Sequence, residues 1–369
     1  MKTLSFKLLL LLLSGIILNS CKTDFDLNAP YKESVAIYGL LSQSDSVNYI
    51  RVNKVFLGEG DATLFAQIKD SVYFKPGELS VSVEKYFNGI KKQTYIFSET
   101  YEKVLNPGSF NPDQLIYKTT QAFKSDSANK EFDYHLIVKN NVSGKIYTSR
   151  TSLVHDLTSA SCSNIASGCF LNLTNVNLAV SSPGLIKIKF GSPVNARVCN
   201  LLMRFYYHDS LFSGGIVPRH VDLNFSNKKT STLLGAEVLD FSFPADVYYK
   251  TIASSIVDDP SVVKCRKADS VNFYIVSGGE FLNLYNEING TSGSFGQEKP
   301  IYTNIDNDAV GVFSARYTKK INKPYYSCTG GPTQTGVITY QSLDQLALGP
   351  HTCHLRFTKS DCSINSFCP

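Results

Sequence analysis

Serine and apolar residues alternate strictly over Leu79-Ser80-Val81-Ser82-Val83. A two-residue period sends successive side chains to opposite faces, so this segment predicts a strand with one buried face. Its continuation reaches Asn88-Gly89 before Lys92-Gln93-Thr94-Tyr95-Ile96-Phe97, and Asn-Gly between two such runs predicts a tight hairpin. Upstream, the apolar runs 35–41 and 47–52 flank Ser44-Asp45-Ser46, which reads as strand, turn and strand. Further strands are expected at 115–119, 134–138 and 145–153, the last entered through the turn Asn140-Asn141-Val142-Ser143-Gly144, and then at 185–190 and 198–207. The pattern turns helical at two places. Pro244 opens the first, 245–257, with Asp246 in its first turn and a stop at Asp258-Asp259-Pro260. In the second, Ser277-Gly278-Gly279-Glu280 has capping-box spacing before Phe281, Leu284, Tyr285 and Ile288, which share one helical face, and Gly290 stands where a C-cap would be.

The expected fold is therefore mainly β: an N-terminal immunoglobulin-like β-sandwich over 35–157, then a second β-rich domain over 158–369 with one or two short helices. The small polar stretch Thr158-Ser159-Ala160-Ser161 marks the boundary. Composition supports this division: 43% hydrophobic and 18% charged residues exclude a disordered chain, and 369 residues suit about two domains. Twenty-one Tyr and 23 Phe against no Trp and two Met favour pleated surfaces over long helices. The formal charge of +5 loses the contribution of Lys2 and Lys7 once the leader is removed, so no nucleic-acid partner is expected.

Lys2 and Lys7 bracket the start of an apolar stretch that includes a run of leucines at 8–13 and continues through Ile16-Ile17-Leu18 to Asn19-Ser20-Cys21. That length suits a secretory leader and falls short of the ~20 apolar residues a bilayer span needs. Residues 1–20 read as a signal peptide. Leu18-Asn19-Ser20-Cys21 resembles a bacterial lipobox, which makes Cys21 the expected lipidation site and acyl chains the means of attachment. The competing reading is an ordinary leader beside a structural cysteine. Residues 21–34 form a tether, and the acidic Asp24 and Asp26 after Lys22 resemble the surface-export signal of Bacteroidota lipoproteins. The expected location is the outer membrane, lipid-anchored, with the cell surface as a further destination; a solvated tether with chance charges is the alternative.

Nine cysteines less Cys21 leave an even set: Cys162, Cys169, Cys199, Cys265, Cys328, Cys353, Cys362 and Cys368. In an exported chain such a set reads as a disulfide framework, with Cys162–Cys169 and Cys362–Cys368 enclosing short loops. His351-Thr352-Cys353-His354 offers soft ligands, yet neighbours on a strand face opposite ways and no paired C-x-x-C is present, so no metal is expected.

The segment Gln297-Glu298-Lys299-Pro300-Ile301-Tyr302-Thr303-Asn304-Ile305-Asp306-Asn307-Asp308-Ala309-Val310-Gly311-Val312-Phe313-Ser314-Ala315 resembles the late motif of a Bacteroidota outer-membrane lipoprotein family, that of the domain of unknown function 4249. The lipobox and the runs 35–41 and 47–52 resemble that family's opening. The chain departs at Asp306-Asn307-Asp308-Ala309, where the family tends to place glycines, and in its cysteine-rich tail. The resemblance implies an N-terminal β-sandwich, a second β-rich domain and a TonB-dependent transporter as partner. It implies no activity.

No nucleophile elbow, zinc-protease motif, phosphate loop or dinucleotide fingerprint is present, and no cofactor is expected. Asp306-Asn307-Asp308 lacks the ligand spacing of a calcium loop and reads as a turn. Tyr206-Tyr207-His208-Asp209 and Tyr325-Tyr326 supply aromatic faces, which makes Tyr206, Tyr207, Tyr325 and Tyr326 the candidate binding residues against a plain core role. Five Asp-Ser-apolar triplets mark Ser46, Ser71, Ser127, Ser210 and Ser270, which resemble acceptors of Bacteroidota O-glycosylation or, equally, turns that precede strands. Two function classes follow: a non-catalytic surface lipoprotein that binds a partner or ligand, accessory to a TonB-dependent transporter, or an extracellular glycan- or peptide-acting hydrolase whose site is assembled from distant residues.

Overall fold

The computed structural model describes residues 34–55, 67–103, 113–124, 131–165, 168–179, 184–290, 301–331 and 333–363. Residues 1–20, expected as a signal peptide, lie outside the described residues, as do Cys21, Ser127 and Cys368.

The protein is mainly β, a large mixed sheet with short helices. The first expected pair is β1 (Ser34–Ser42) and β2 (Asn48–Val55), antiparallel with Ile37 opposite Val52. β3 (Leu79–Phe87) and β4 (Ile90–Lys103) form the expected hairpin, and Asn88 and Gly89 take φ of 50° and 74°, as its two-residue turn demands. A short helix, α1 (Lys69–Val72), precedes them. β4 then changes partner. Its first half pairs with β3 and its second half, from Ser98, with β5 (Asp113–Thr119), so one long strand carries the sheet round a bend. β6 (Asp133–Asn140) lies beside β3, and β7 (Ile146–Ser152) beside β6. Strand alternation turns Val81, Val83, Leu136, Val138 and Tyr147 inward, in one apolar cluster with Ile37, Ile50 and Val52. The strands share one continuous path, and the structure assigns them no immunoglobulin topology.

Residues 185–190, expected as one strand, divide into β8 (Leu185–Ile186) and β9 (Lys189–Gly191). The long strand β10 (Val198–Leu211) pairs with β11 (Ile216–Asn224) and with β12 (Lys228–Lys229). β13 (Val238–Asp240) and β14 (Phe243–Pro244) pair with β9 and β8. The helix expected at 245–257 is α2 (Ala245–Ser255), which buries Tyr248, Tyr249 and Ile252. β15 (Val263–Gly278) lies between β10 and β16 (Val310–Pro324), with α3 (Glu280–Gly290) between the two in sequence. The last helix is α4 (Tyr340–Leu348).

β1 runs parallel beside β16, which joins the strands on either side of 157/158 into one order: β11-β10-β15-β16-β1-β2-β5-β4-β3-β6-β7. The late motif makes this junction. Asn304 accepts the Phe313 N–H at 2.9 Å and donates to the Phe313 carbonyl at 2.8 Å, which pins the loop to β16. Ser149 and Thr148 of β7 donate to the Asn304 carbonyl and the Asp306 carboxylate, at 2.7 and 2.9 Å. Gly311 sits at φ 123° opposite Ile37, where a Cβ would lie 1.9 Å from the Ile37 carbonyl oxygen.

The start of α3 departs from the expected capping box. Gly278 and Ser277 still belong to β15, and Ser277 instead bonds the Cys199 thiol at 3.2 Å. The Leu282 N–H donates to the Ser314 hydroxyl of β16 at 3.1 Å, so the cap comes from a distant strand.

Candidate functional site

Phe205, Tyr207 and Met203 of β10 point inward, where Tyr248, Tyr325 and Phe357 cover them. The alternate residues Arg204, Tyr206 and His208 therefore stand on the outer face. There the register sets rows across strands: Asp222, Arg204, Asn272 and Asn322 form one, and His220, Tyr206 and Ser270 the next. Arg204 holds Asp222 through two hydrogen bonds of 2.6 Å, a bidentate fork that fixes both groups in plane. The Tyr206 and Tyr274 hydroxyls meet at 3.4 Å, and Asn272 donates to the Tyr274 hydroxyl at 3.3 Å. The hydrogen bond to Tyr274, with Arg204 and Asn272 close by, holds the Tyr206 phenol below its ordinary pKa. His220 stacks obliquely 6.0 Å from Tyr206, and Lys320 stands 5.9 Å over the Tyr274 ring. The result is an aromatic and polar surface carried on strands, where side chains keep their positions.

Of the four aromatic binding candidates, only Tyr206 belongs to this surface. Tyr207 is buried against Phe357, and Tyr325 is buried with its hydroxyl 2.9 Å from that of Tyr248. Tyr207 turns inward by strand alternation, and Tyr325, just past β16, is held inward by its N–H bond to the Asp269 carbonyl at 2.9 Å. Tyr326 packs edge-on against Tyr340, away from Tyr206. His208 does not pair with its sequence neighbour Asp209. It meets Asp269 at 3.0 Å, whereas Asp209 points inward to Arg266. Asp269 is the residue left over where the β10–β15 register slips between Tyr206 and Tyr207, a bulge that aims its carboxylate outward. Among the triplets, Ser46 is exposed in the bend between β1 and β2, Ser71 lies in α1, and Ser210 and Ser270 lie within strands rather than in turns. Asn307 and Asp308 take φ of 65° and 62°, the turn expected there.

Cys162–Cys169 is bonded as expected, and Cys328 pairs with Cys362, which overturns the expected Cys362–Cys368 link. Cys353 is also disulfide-bonded. Cys199 and Cys265 are free thiols, contrary to the expected framework. They stand at opposite ends of the β10–β15 pair, facing Ser277 and Ser210, so their Cα atoms are separated by about 36 Å of strand. A disulfide tolerates at most ~7 Å. Burial pushes the Cys199 thiol up to about pH 11. Alkylation of the denatured, unreduced protein is therefore expected to label Cys199 and Cys265 and to leave Cys162, Cys169, Cys328 and Cys362 unmodified, as peptide mass analysis would show. In the native protein at neutral pH, Cys199 should stay unlabelled. Label at Cys162 or Cys328 would contradict these pairings. Among the described residues no group of His, Cys, Asp and Glu has the makings of a metal site.

A cleft of about 530 Å³ opens where the outer face of β3, β6 and β7 meets α3 and the late loop. Glu84, His135 and Arg150 are cross-strand neighbours in one row. The Tyr86 hydroxyl, at 2.6 Å, and Lys91, at 3.0 Å, hold the Glu84 carboxyl below its ordinary pKa, so it is ionised and fully paired. Asp306 lies beyond β7, three strand spacings and roughly 14 Å of backbone from Glu84. A smaller apolar pocket of about 350 Å³ lies between Tyr38, Tyr49 and Tyr285, with the Asp45–Arg316 ion pair (2.7 Å) on its wall.

Neither the protein-family models nor the curated proteins contain a match to this chain.

Proposed function

We propose that the chain is a lipid-anchored lipoprotein of the Bacteroidota outer membrane or cell surface, attached through Cys21, that binds a partner or ligand and serves as accessory to a TonB-dependent transporter. The observation that carries the binding role is the outer face of β10 and β15, where Tyr206 and Tyr274 meet over a row of side chains already fixed by hydrogen bonds. Rings and planar polar groups held in place lose little conformational entropy when a partner covers them, which is why tyrosine and arginine dominate binding hot spots. The leader pattern and the likeness of 297–315 to the lipoprotein family support the address. Among the described residues no helix is long and apolar enough to cross a membrane. Attachment by the two or more acyl chains of a lipidated cysteine fits the tether.

The test uses the full-length chain, because truncation after 157 would strip β16 from β1. Affinity purification from native outer membranes is expected to recover an outer-membrane transporter with the parent protein and to lose it with Tyr206→Ala/Tyr274→Ala. Both side chains are on the outer face, so the variant should still unfold in one transition, at a midpoint lowered by no more than the loss of the Asn272 bond to Tyr274 accounts for. Palmitate-analogue labelling should vanish in Cys21→Ala. Full recovery of the same partner by the double tyrosine variant would remove the outer face as the interface, and label retained on Cys21→Ala would remove the anchor.

A further inference from the structure

The cleft beside β7 holds three polar groups whose bonding capacity is unspent. Arg150 is exposed and makes no hydrogen bond or ion pair among the described residues. His135, its cross-strand neighbour, stacks on Tyr86 at 4.5 Å and leaves its ring nitrogens unbonded among the described residues. Asp306 spends Oδ2 on the Thr148 hydroxyl, while Oδ1 accepts nothing among the described residues. The Asp306 N–H donates to the Thr148 carbonyl at 2.9 Å, which stations its backbone one row from Arg150. Two residues along β7 and one strand spacing across it set the Arg150 and Asp306 backbones about 8–9 Å apart, and both residues line the same cleft. Phe281 of α3 supplies an apolar wall.

We propose that this cleft is a binding site for a short zwitterionic peptide of two or three residues. The peptide carboxylate takes the Arg150 fork, with the His135 ring beside it, and the terminal ammonium donates to Asp306 Oδ1. An apolar side chain rests on Phe281. An extended peptide rises at most ~3.5 Å per residue, so a dipeptide bridges the Arg150 to Asp306 spacing. A planar guanidinium matches a carboxylate through two parallel bonds, and a ligand with one charge of each sign neutralises both free groups at once. A neutral sugar would leave both charges uncompensated as it displaced their water. The site is rigid without ligand, because Asn304 is bonded twice to Phe313 and Ser149 donates to the Asn304 carbonyl, so binding has little loop ordering to offset. This site is separate from the Tyr206 surface and does not depend on that surface's role.

The experiment is calorimetric titration of the full-length chain in detergent with L-alanyl-L-phenylalanine, its N-acetylated form, its C-terminal amide, and maltose. Saturable binding of the free dipeptide is expected, weakened at least about tenfold by blocking either terminus, with no binding of maltose. Arg150→Ala should weaken the dipeptide about tenfold or more and lose the preference over the amide. Arg150 has no partner to abandon among the described residues, so this variant should fold as the parent does. Asp306→Asn keeps an acceptor for Thr148 and should lose the preference over the acetylated form. Absence of saturation at ~10 mM dipeptide, which bounds any affinity above −3 kcal/mol or so, would overturn the proposal. So would equal binding of the blocked forms, binding of maltose in place of the dipeptide, or unchanged affinity in Arg150→Ala.

Discussion

Arg266→Ala is expected to lower stability by about 3–5 kcal/mol, read as a lower urea midpoint. Arg266 is 1% exposed on β15, yet its guanidinium is fully engaged. Nε donates to Asp209 at 2.9 Å, and Nη1 to Asp258 at 3.0 Å and to the Leu355 carbonyl at 2.8 Å. Alanine would leave Asp209 buried with, among the described residues, only Arg219, at 3.4 Å, as a partner, and would take the Arg266 donor from the Leu355 carbonyl. The cost is that of an uncompensated buried charge rather than of a lost attraction, so Arg266→Met/Asp209→Leu should recover part of it. Burial pushes the Asp258 carboxyl up, but the bonds from Arg266 and Arg356 outweigh that and hold it below its ordinary value. A depressed carboxylate adds stability above its unfolded pKa, near 4, and that increment is lost as pH falls through the lower folded value. Arg266→Ala should therefore lose less stability than the parent as pH falls below about 4. A destabilisation below ~1 kcal/mol would show that the network contributes little.

Gly311→Ala should cost at least about 3 kcal/mol and loosen the junction between β1 and β16. Two effects add at this position. The backbone holds φ 123°, which side chains other than hydrogen rarely tolerate, and a Cβ would meet the Ile37 carbonyl oxygen at 1.9 Å and its carbon at 2.8 Å. Neither neighbour is a flexible side-chain tip; both are backbone within a paired strand. Gly89→Ala separates the two contributions, since Gly89 has φ 74° with nothing within 4 Å of its added Cβ. That variant should cost only about 1–2 kcal/mol. Equal urea midpoints for the two variants would mean that the contact with Ile37 is relieved without cost. If the junction loosens as expected, amide exchange should rise in both β1 and β16, although the two strands lie far apart in sequence.

Local chemistry made a good part of this chain legible from the sequence. Alternation over 79–83 and Asn88-Gly89 specify the β3–β4 hairpin because turn and strands are neighbours in the chain. The Pro244 start and the Asp258-Asp259-Pro260 stop place α2 to within two residues for the same reason. Alternation also says that Tyr206 and Tyr207 face opposite sides, but which one meets solvent depends on α2, Tyr325 and Phe357 covering the inner face of β10. β15 was hidden because Arg266 and Asn272 interrupt its apolar period, and buried polar residues are intelligible only once Asp209, Asp258 and Asn322 are seen to satisfy them. The capping box at Ser277 fails because β15 extends through that residue and Ser314, a distant chain neighbour, serves the helix instead. Even cysteine count suggested a full set of disulfides, but pairing is a matter of distance, and the ends of a long strand pair are too far apart for Cys199 and Cys265. The cleft is the extreme case: Arg150 and His135 are brought together by strand register, and Asp306 joins them from 156 residues beyond Arg150 through the loop that Thr148, Ser149 and Asn304 pin down. Hydrophobic period and turn chemistry act between neighbours and so are written in the chain, whereas register, the parallel β1–β16 junction and the company of a buried charge are settled only by which strands pack together.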